Sequence, residues 1–101
     1  MSRGARGLSQ AAMDLLCWLD RDEKDEWGYD RELVHEGRTW MAGTKRIPKR
    51  VVNELILFCC ISAESFASGR GMERWAINGT GRDMLVHPEQ TIRHVRELLQ
   101  F

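Results

Sequence analysis

Apolar residues recur at helical spacing in three parts of the chain. Leu8, Ala12, Leu15, Leu16 and Leu19 share one face of a helix that runs to about residue 21. Ser9 is a good N-cap for it, with Leu8 and Met13 placed to staple its first turn. Near the other end, Pro88 sits at a first helical turn and opens HPEQTIRHVRELLQF, where Ile92, Val95, Leu98 and Leu99 line one side. The third stretch follows Pro48 and predicts a helix from near Ile47 to about Cys59. At about 100° per residue, Arg46, Lys49, Arg50 and Asn53 fall within one sector of roughly 100°. Val51, Val52, Leu55 and Cys59 fall on the opposite side.

Two other segments lack that period. Between residues 27 and 44, Gly28, Gly37 and Gly43 interrupt a stretch whose bulk comes from Trp27, Tyr29, Trp40 and Met41; a short helix from Asp30 to Glu36, stopped by Gly37, is the expectation. From residue 61 onward the pattern is two-residue. Ile61 to Phe66 reads as a strand, residues 67–71 as a turn with Arg70 near its tip, and Met72 to Ile77 as a second strand in which Trp75 and Ile77 alternate with Arg74 and Ala76. Asn78 then caps a further helical turn, with Leu85 packing inward.

With 101 residues, of which 43% are hydrophobic and 30% charged, the chain has the length of one globular domain and too much apolar material for a disordered tail. No apolar run approaches the roughly 18 residues of a membrane span, and the first ten residues carry no signal-peptide core, so a cytoplasmic protein is expected. Fifteen basic residues balance fifteen acidic ones, so no whole-molecule field draws the chain to a polyanion. The charges are unevenly spread. Residues 1–43 hold six basic and nine acidic side chains, 44–82 seven and three, and 83–101 two and three, so the positive charge is concentrated in the middle. DRDEKDE (20–26) reads as a solvated helix end and loop, without the alternation and glycine of a calcium-binding loop.

The order helix, irregular segment, basic helix, strand, turn, strand, helix resembles a winged helix-turn-helix domain, and the small phage or bacterial members of that family in particular. The likeness covers residues 45–85. It rests on ValValAsnGluLeuIle (51–56), the strand after it, and TrpAlaIleAsnGlyThrGlyArgAspMetLeu (75–85), where Trp75, Ile77, Asn78, Gly81, Arg82 and Leu85 stand in the places of the family's wing-return pattern. Two departures stand out. Cys59 or Cys60 occupies the place where such domains carry a glycine, and ten residues separate Glu36 from Ile47 where a turn of three or four is usual. The resemblance implies a mostly helical α+β fold, a winged helix-turn-helix with a two-stranded wing and a C-terminal helix. Residues 1–8 are then a flexible tail, 9–86 the winged core and 87–101 the amphipathic C-terminal helix of a single domain.

A helix with a Val/Val/Leu inner face and an Arg/Lys/Arg/Asn outer face has the chemistry of one laid in a DNA groove, arginine and lysine contacting phosphates or guanine, asparagine pairing with adenine. The expected function is therefore a small DNA-binding protein, a transcriptional regulator of phage or bacterial type. Its expected nucleic-acid contacts are Lys45, Arg46, Lys49, Arg50, Asn53, Arg70 and Arg74, with Thr44 holding the backbone at the helix entry and the last two arginines in the wing. Double-stranded DNA is the expected partner. Leu57, on the basic face, favours the alternative of a protein-interaction adaptor or inhibitor, for example an anti-defence protein, built on the same scaffold. The C-terminal helix with Leu98, Leu99 and Phe101 is read as packing on its own domain, with a homodimer surface as the alternative.

Enzyme chemistry is not expected. CxxC, HExxH, GxSxG and phosphate-loop patterns are all missing, and His35, His87 and His94 lack metal-site spacing, so neither cofactor nor metal is expected. Cys17, Cys59 and Cys60 read as buried, reduced thiols, and Trp18, Trp27, Trp40 and Trp75 as packing residues.

Overall fold

The computed structural model describes residues 8–21, 31–63 and 72–99. Helix α1 spans Gln10–Leu19 and is followed by three strands, β1 (Leu33–Glu36), β2 (Thr39–Ala42) and β3 (Lys45–Ile47). Helix α2 (Lys49–Leu57), strands β4 (Ile61–Ala63) and β5 (Met72–Ile77), and helices α3 (Gly79–Val86) and α4 (Pro88–Leu99) complete the elements of the described residues. All five strands belong to one antiparallel sheet in the order β3-β2-β1-β5-β4.

This architecture corrects the winged helix-turn-helix expectation. The segment from Asp30 to Glu36, expected as a helix, supplies strand β1, and the ribbon expected to stand as a two-stranded wing forms two strands of a five-stranded sheet. The physical reason lies in two glycines. Gly37 and Gly43 each open a two-residue connection, Gly37-Arg38 and Gly43-Thr44, and each has φ +64°. A positive φ at the first loop position matches the right-handed twist of a tight hairpin and is easily reached only by glycine. Residues that break a helical period therefore turn a chain of short strands.

Register sorts the side chains onto two faces. Ala42, Leu33, Trp75 and Ala63 form one cross-strand row; Ile47, Trp40, His35 and Glu73 form the next; Ile61 opposes Ile77. The buried members of these rows pack against Ala12, Leu15, Leu16 and Leu19 of α1, Val51, Val52 and Leu55 of α2, and Met84 of α3. On the other face the row is Arg46, Met41, Val34 and Arg74, none of them buried. The helices thus lie on one side of the sheet, and the expected inward faces of α1 and α2 are the observed ones except for Cys59, which lies beyond the end of α2 and is exposed.

Helix ends follow local chemistry. Ser9 caps α1 by accepting from Ala12 N–H, and Asn78 caps α3 by accepting from Gly81 N–H at 2.9 Å. Glu54 of α2 reaches back to the same Ser9, accepting from its N–H at 2.7 Å and its hydroxyl at 2.9 Å, which ties two elements 45 residues apart. At the end of α2, Cys60 N–H donates to Leu55 O at 2.9 Å and Cys59 N–H to Ile56 O at 3.0 Å, with Cys59 at φ +60°. That is a Schellman closure with cysteine in the glycine position. Of the three thiols only Cys60 is buried, with its pKa pushed up to about 12 by burial and then by the neighbouring Cys59; Cys17 and Cys59 are exposed, contrary to expectation.

Candidate nucleic-acid interface

The residues expected to contact nucleic acid divide among three places. Lys45 and Arg46 lie on β3, an edge strand, and not on the helix, because Gly43-Thr44 turns the chain back and Pro48 delays the helix start until Lys49. Lys49 and Arg50 are then the first two residues of α2, and Asn53 is exposed one turn later. Arg74 is in β5, on the sheet face opposite the helices, where its guanidinium meets Glu32 at 3.2 Å. Arg70 lies outside the described residues, as do Trp27, Tyr29, Phe101 and most of the acidic run.

What the fold does bring together is the corner where β3 becomes α2. Lys45, Arg46, Lys49 and Arg50 are all exposed, and none of the four has an ion pair among the described residues. The one acidic residue of α2, Glu54, is turned away and committed to Ser9. The helix opens on Pro48 with no side-chain cap and no acidic residue in its first turn. Two cations therefore sit at the positive end of a helix dipole, beside backbone N–H groups that have no intrahelical acceptor. For the isolated fold this is unfavourable. For a bound phosphate it is the best arrangement a helix offers, since charge, dipole and N–H donors all point the same way. The sequence pattern found the cations but, by counting Arg46 with the helix and starting it near Ile47, missed that Lys45 and Arg46 belong to a strand.

Farther along α2 the outer face turns apolar, with Ile56 and Leu57 exposed, Leu57 at 61%. Leu98 of α4 is also exposed, while Val95 of the same helix is buried and Ile92 partly so, so α4 packs mainly on its own molecule.

A second cluster went unnoticed in the sequence. His35 stacks on Trp40 at 3.9 Å with the rings 8° from parallel, and Trp75 meets Trp40 edge-on at 5.8 Å. Glu73 Oε1 lies 3.0 Å from His35 Nδ1 and accepts from Trp75 Nε1 at 3.4 Å; the histidine bond first, then the indole bond, holds its carboxyl below the usual range. The four groups join three strands through side chains, in which aromatic packing is the main contribution. The signal was a tryptophan at Trp40 directly opposite a histidine across a glycine turn, readable only once the hairpin register is known. Asp83, His87 and His94 line one shallow pocket between α3 and α4, but no group of three or more such side chains suited to a metal occurs among the described residues. No helix among them is long and apolar enough to cross a membrane.

Compared with known proteins, no family model matches the chain, and no curated protein or solved structure is significantly similar to it.

Proposed function

We propose that the chain is a small DNA-binding protein that grips the phosphate backbone with the β3–α2 corner and lays the first turns of α2 against the duplex. The observation that carries this reading is the set of four cations at Lys45, Arg46, Lys49 and Arg50, none with an ion pair among the described residues and two of them placed where the helix dipole opposes them. Asn53, exposed on the same helix, is the residue able to read a base edge. Arg74 is not part of the corner, because β5 lies three strands away from β3 in the sheet and its guanidinium meets Glu32 at 3.2 Å. A role in regulating transcription and a cytoplasmic location belong to the same proposal.

Fluorescence anisotropy on a mixed-sequence duplex across a salt series tests it. Each phosphate contact contributes about −0.9 to the log–log salt slope, so Lys49→Ala/Arg50→Ala flattens the slope by about two units, while Arg74→Ala leaves it unchanged. The double variant also melts higher than wild type at low salt, because removing each cation from the helix start relieves about 0.3–1 kcal/mol. Weaker binding in a more stable protein separates a binding role from a folding defect. Absence of wild-type binding near 50 mM salt, about the low end of the range in which phosphate contacts are strong, overturns the proposal. The second reading, a protein-interaction adaptor, is favoured by exposed Ile56 and Leu57 at the far end of α2; its partner surface includes Leu57, and Leu57→Ser leaves DNA binding intact.

A further inference from the structure

The two edges of the sheet are defended differently. At one edge β3 carries Lys45 and Arg46 and runs into Pro48, charge and proline being common guards of an open strand. At the other edge, β4 has no charged residue, no proline and no bulge, and no described strand pairs with its outer side. Ile61 is buried there, while Ser62 and Ala63 are exposed. We propose that a second copy of this chain pairs with β4, antiparallel and two-fold about Ser62, so that the two sheets join into one.

Register decides which backbone groups face the open side. Asn78 N–H donates to Cys60 O at 3.1 Å and Ile61 stands opposite Ile77, so by alternation the N–H and C=O of Ser62 point at β5. The same alternation turns the N–H and C=O of Ile61 and Ala63 outward. A dyad through Ser62 sets Ile61 of one copy opposite Ala63 of the other, twice over, and each such pair exchanges two hydrogen bonds. The two Ser62 side chains that meet at the dyad are small and neutral. The strand is therefore complementary to itself, and no charge on it selects a foreign strand. Fifteen basic residues against fifteen acidic ones leave no net charge to hold two copies apart. Helix α2 adds apolar area, because its last turn, with Ile56 and Leu57 exposed, leads through Phe58 and the two cysteines directly into β4. With the dyad perpendicular to the sheet, the α2 ends of both copies lie on the same face, one on each side of the joined strands. A three-residue strand and two apolar side chains make an interface of the small, weak class, so the dimer has a Kd between about 1 μM and 1 mM. The pairing leaves the Lys45–Arg50 corner untouched and does not rest on the DNA reading.

Sedimentation equilibrium of the whole chain, without DNA, from about 1 μM to about 1 mM tests the proposal. A reducing buffer keeps the exposed Cys17 and Cys59 from cross-linking copies. The mass is expected to rise with concentration from 11.7 kDa toward twice that value. Two variants locate the contact. Ala63→Pro deletes an outward N–H that β5 does not use, and with it half of the bonds between copies, while Ser62→Lys brings two like charges together at the dyad. Each weakens association by about tenfold, whereas Leu98→Ser, on exposed α4, leaves it unchanged. Thermal melting by circular dichroism at the lowest concentration establishes that each variant is folded. Amide exchange in the wild type gives a readout that needs no variant. Raising the concentration slows exchange at Ile61 and Ala63 far more than at Ser62, whose N–H β5 already engages. A monomer mass through the whole range overturns the proposal. So does an association that both folded variants leave intact, or exchange at Ile61 and Ala63 that does not respond to concentration.

Discussion

Replacing Cys59 by glycine makes this protein more stable. Cys59 closes α2 with φ +60°, a conformation in which an L-residue's Cβ crowds the following carbonyl at a cost of about 1–2 kcal/mol. The two hydrogen bonds that demand this conformation, from Cys60 to Leu55 and from Cys59 to Ile56, are backbone bonds and survive the substitution. The thiol is exposed, so little packing is lost. Glycine gives back part of the gain by widening the unfolded ensemble, about 0.4–1 kcal/mol. The net is roughly 0.5–1 kcal/mol, or a rise in Tm of about 2–8 °C for a domain of this length. Cys59→Ala is the control, since it removes the same thiol but keeps the Cβ and therefore the strain. Thermal and urea unfolding of the three proteins under reducing conditions give the comparison. If glycine and alanine variants unfold together, the left-handed conformation at residue 59 is not strained in the way argued here.

Other outcomes follow from single sites. Gly81→Ala lowers stability by about 2–3 kcal/mol, because a Cβ there lies inside van der Waals contact of the Cys60 carbonyl oxygen and 2.6 Å from Ile77 Cγ1, whereas Gly79→Ala, which meets nothing within 4 Å, is neutral or stabilising in the same urea titration. Glu54→Ala costs about 1–3 kcal/mol by leaving the Ser9 N–H and hydroxyl without their carboxylate, and amide exchange speeds up first at the start of α1. Glu73, whose folded pKa is depressed by His35 and Trp75, contributes stability that is fully present above the ordinary glutamate value and is lost as the pH falls through the lowered one; Glu73→Gln removes that acid-side dependence, read from unfolding midpoints across the acid range.

Elements with a complete period were legible without coordinates. The apolar face of α1, its Ser9 cap, the inner Val51, Val52 and Leu55 of α2, the Asn78 cap and the pairing of the strands around Ile61 and Ile77 all rest on signals spanning a turn or more of helix, or on alternation over six residues. Strands of three or four residues give no such signal. Leu33–Glu36 contains barely one full alternation, and its sense as a strand depends on Trp40 and Trp75 lying opposite, contacts that no local pattern encodes. Gly37-Arg38 and Gly43-Thr44, read as interruptions, were the local evidence for hairpins. The misplaced start of α2 has the same origin. Once Lys45 and Arg46 belong to a strand, Pro48 cannot be inside the helix, and the basic residues divide into an edge-strand pair and a helix-start pair.

That division changes what the basic cluster can do. A cationic stripe along a helix reads a groove over its length, as the wheel of residues 46–53 suggested. A cationic corner, formed by an edge strand and an uncapped helix start, presents charge at one point, with the helix axis leading away from it. Phosphate contacts at such a point fix position and orientation but carry no sequence information. Base discrimination then falls on Asn53 alone among the α2 residues facing outward with hydrogen-bonding capacity for adenine, before the face turns apolar at Ile56 and Leu57. On the proposed DNA reading, such a corner gives salt-dependent and weakly selective binding. Asn53→Ala should lower discrimination among duplexes by no more than one base pair's worth, about 1–3 kcal/mol. Selectivity spread over several base pairs in an anisotropy competition series would mean that another part of the chain, and not this corner, reads the sequence.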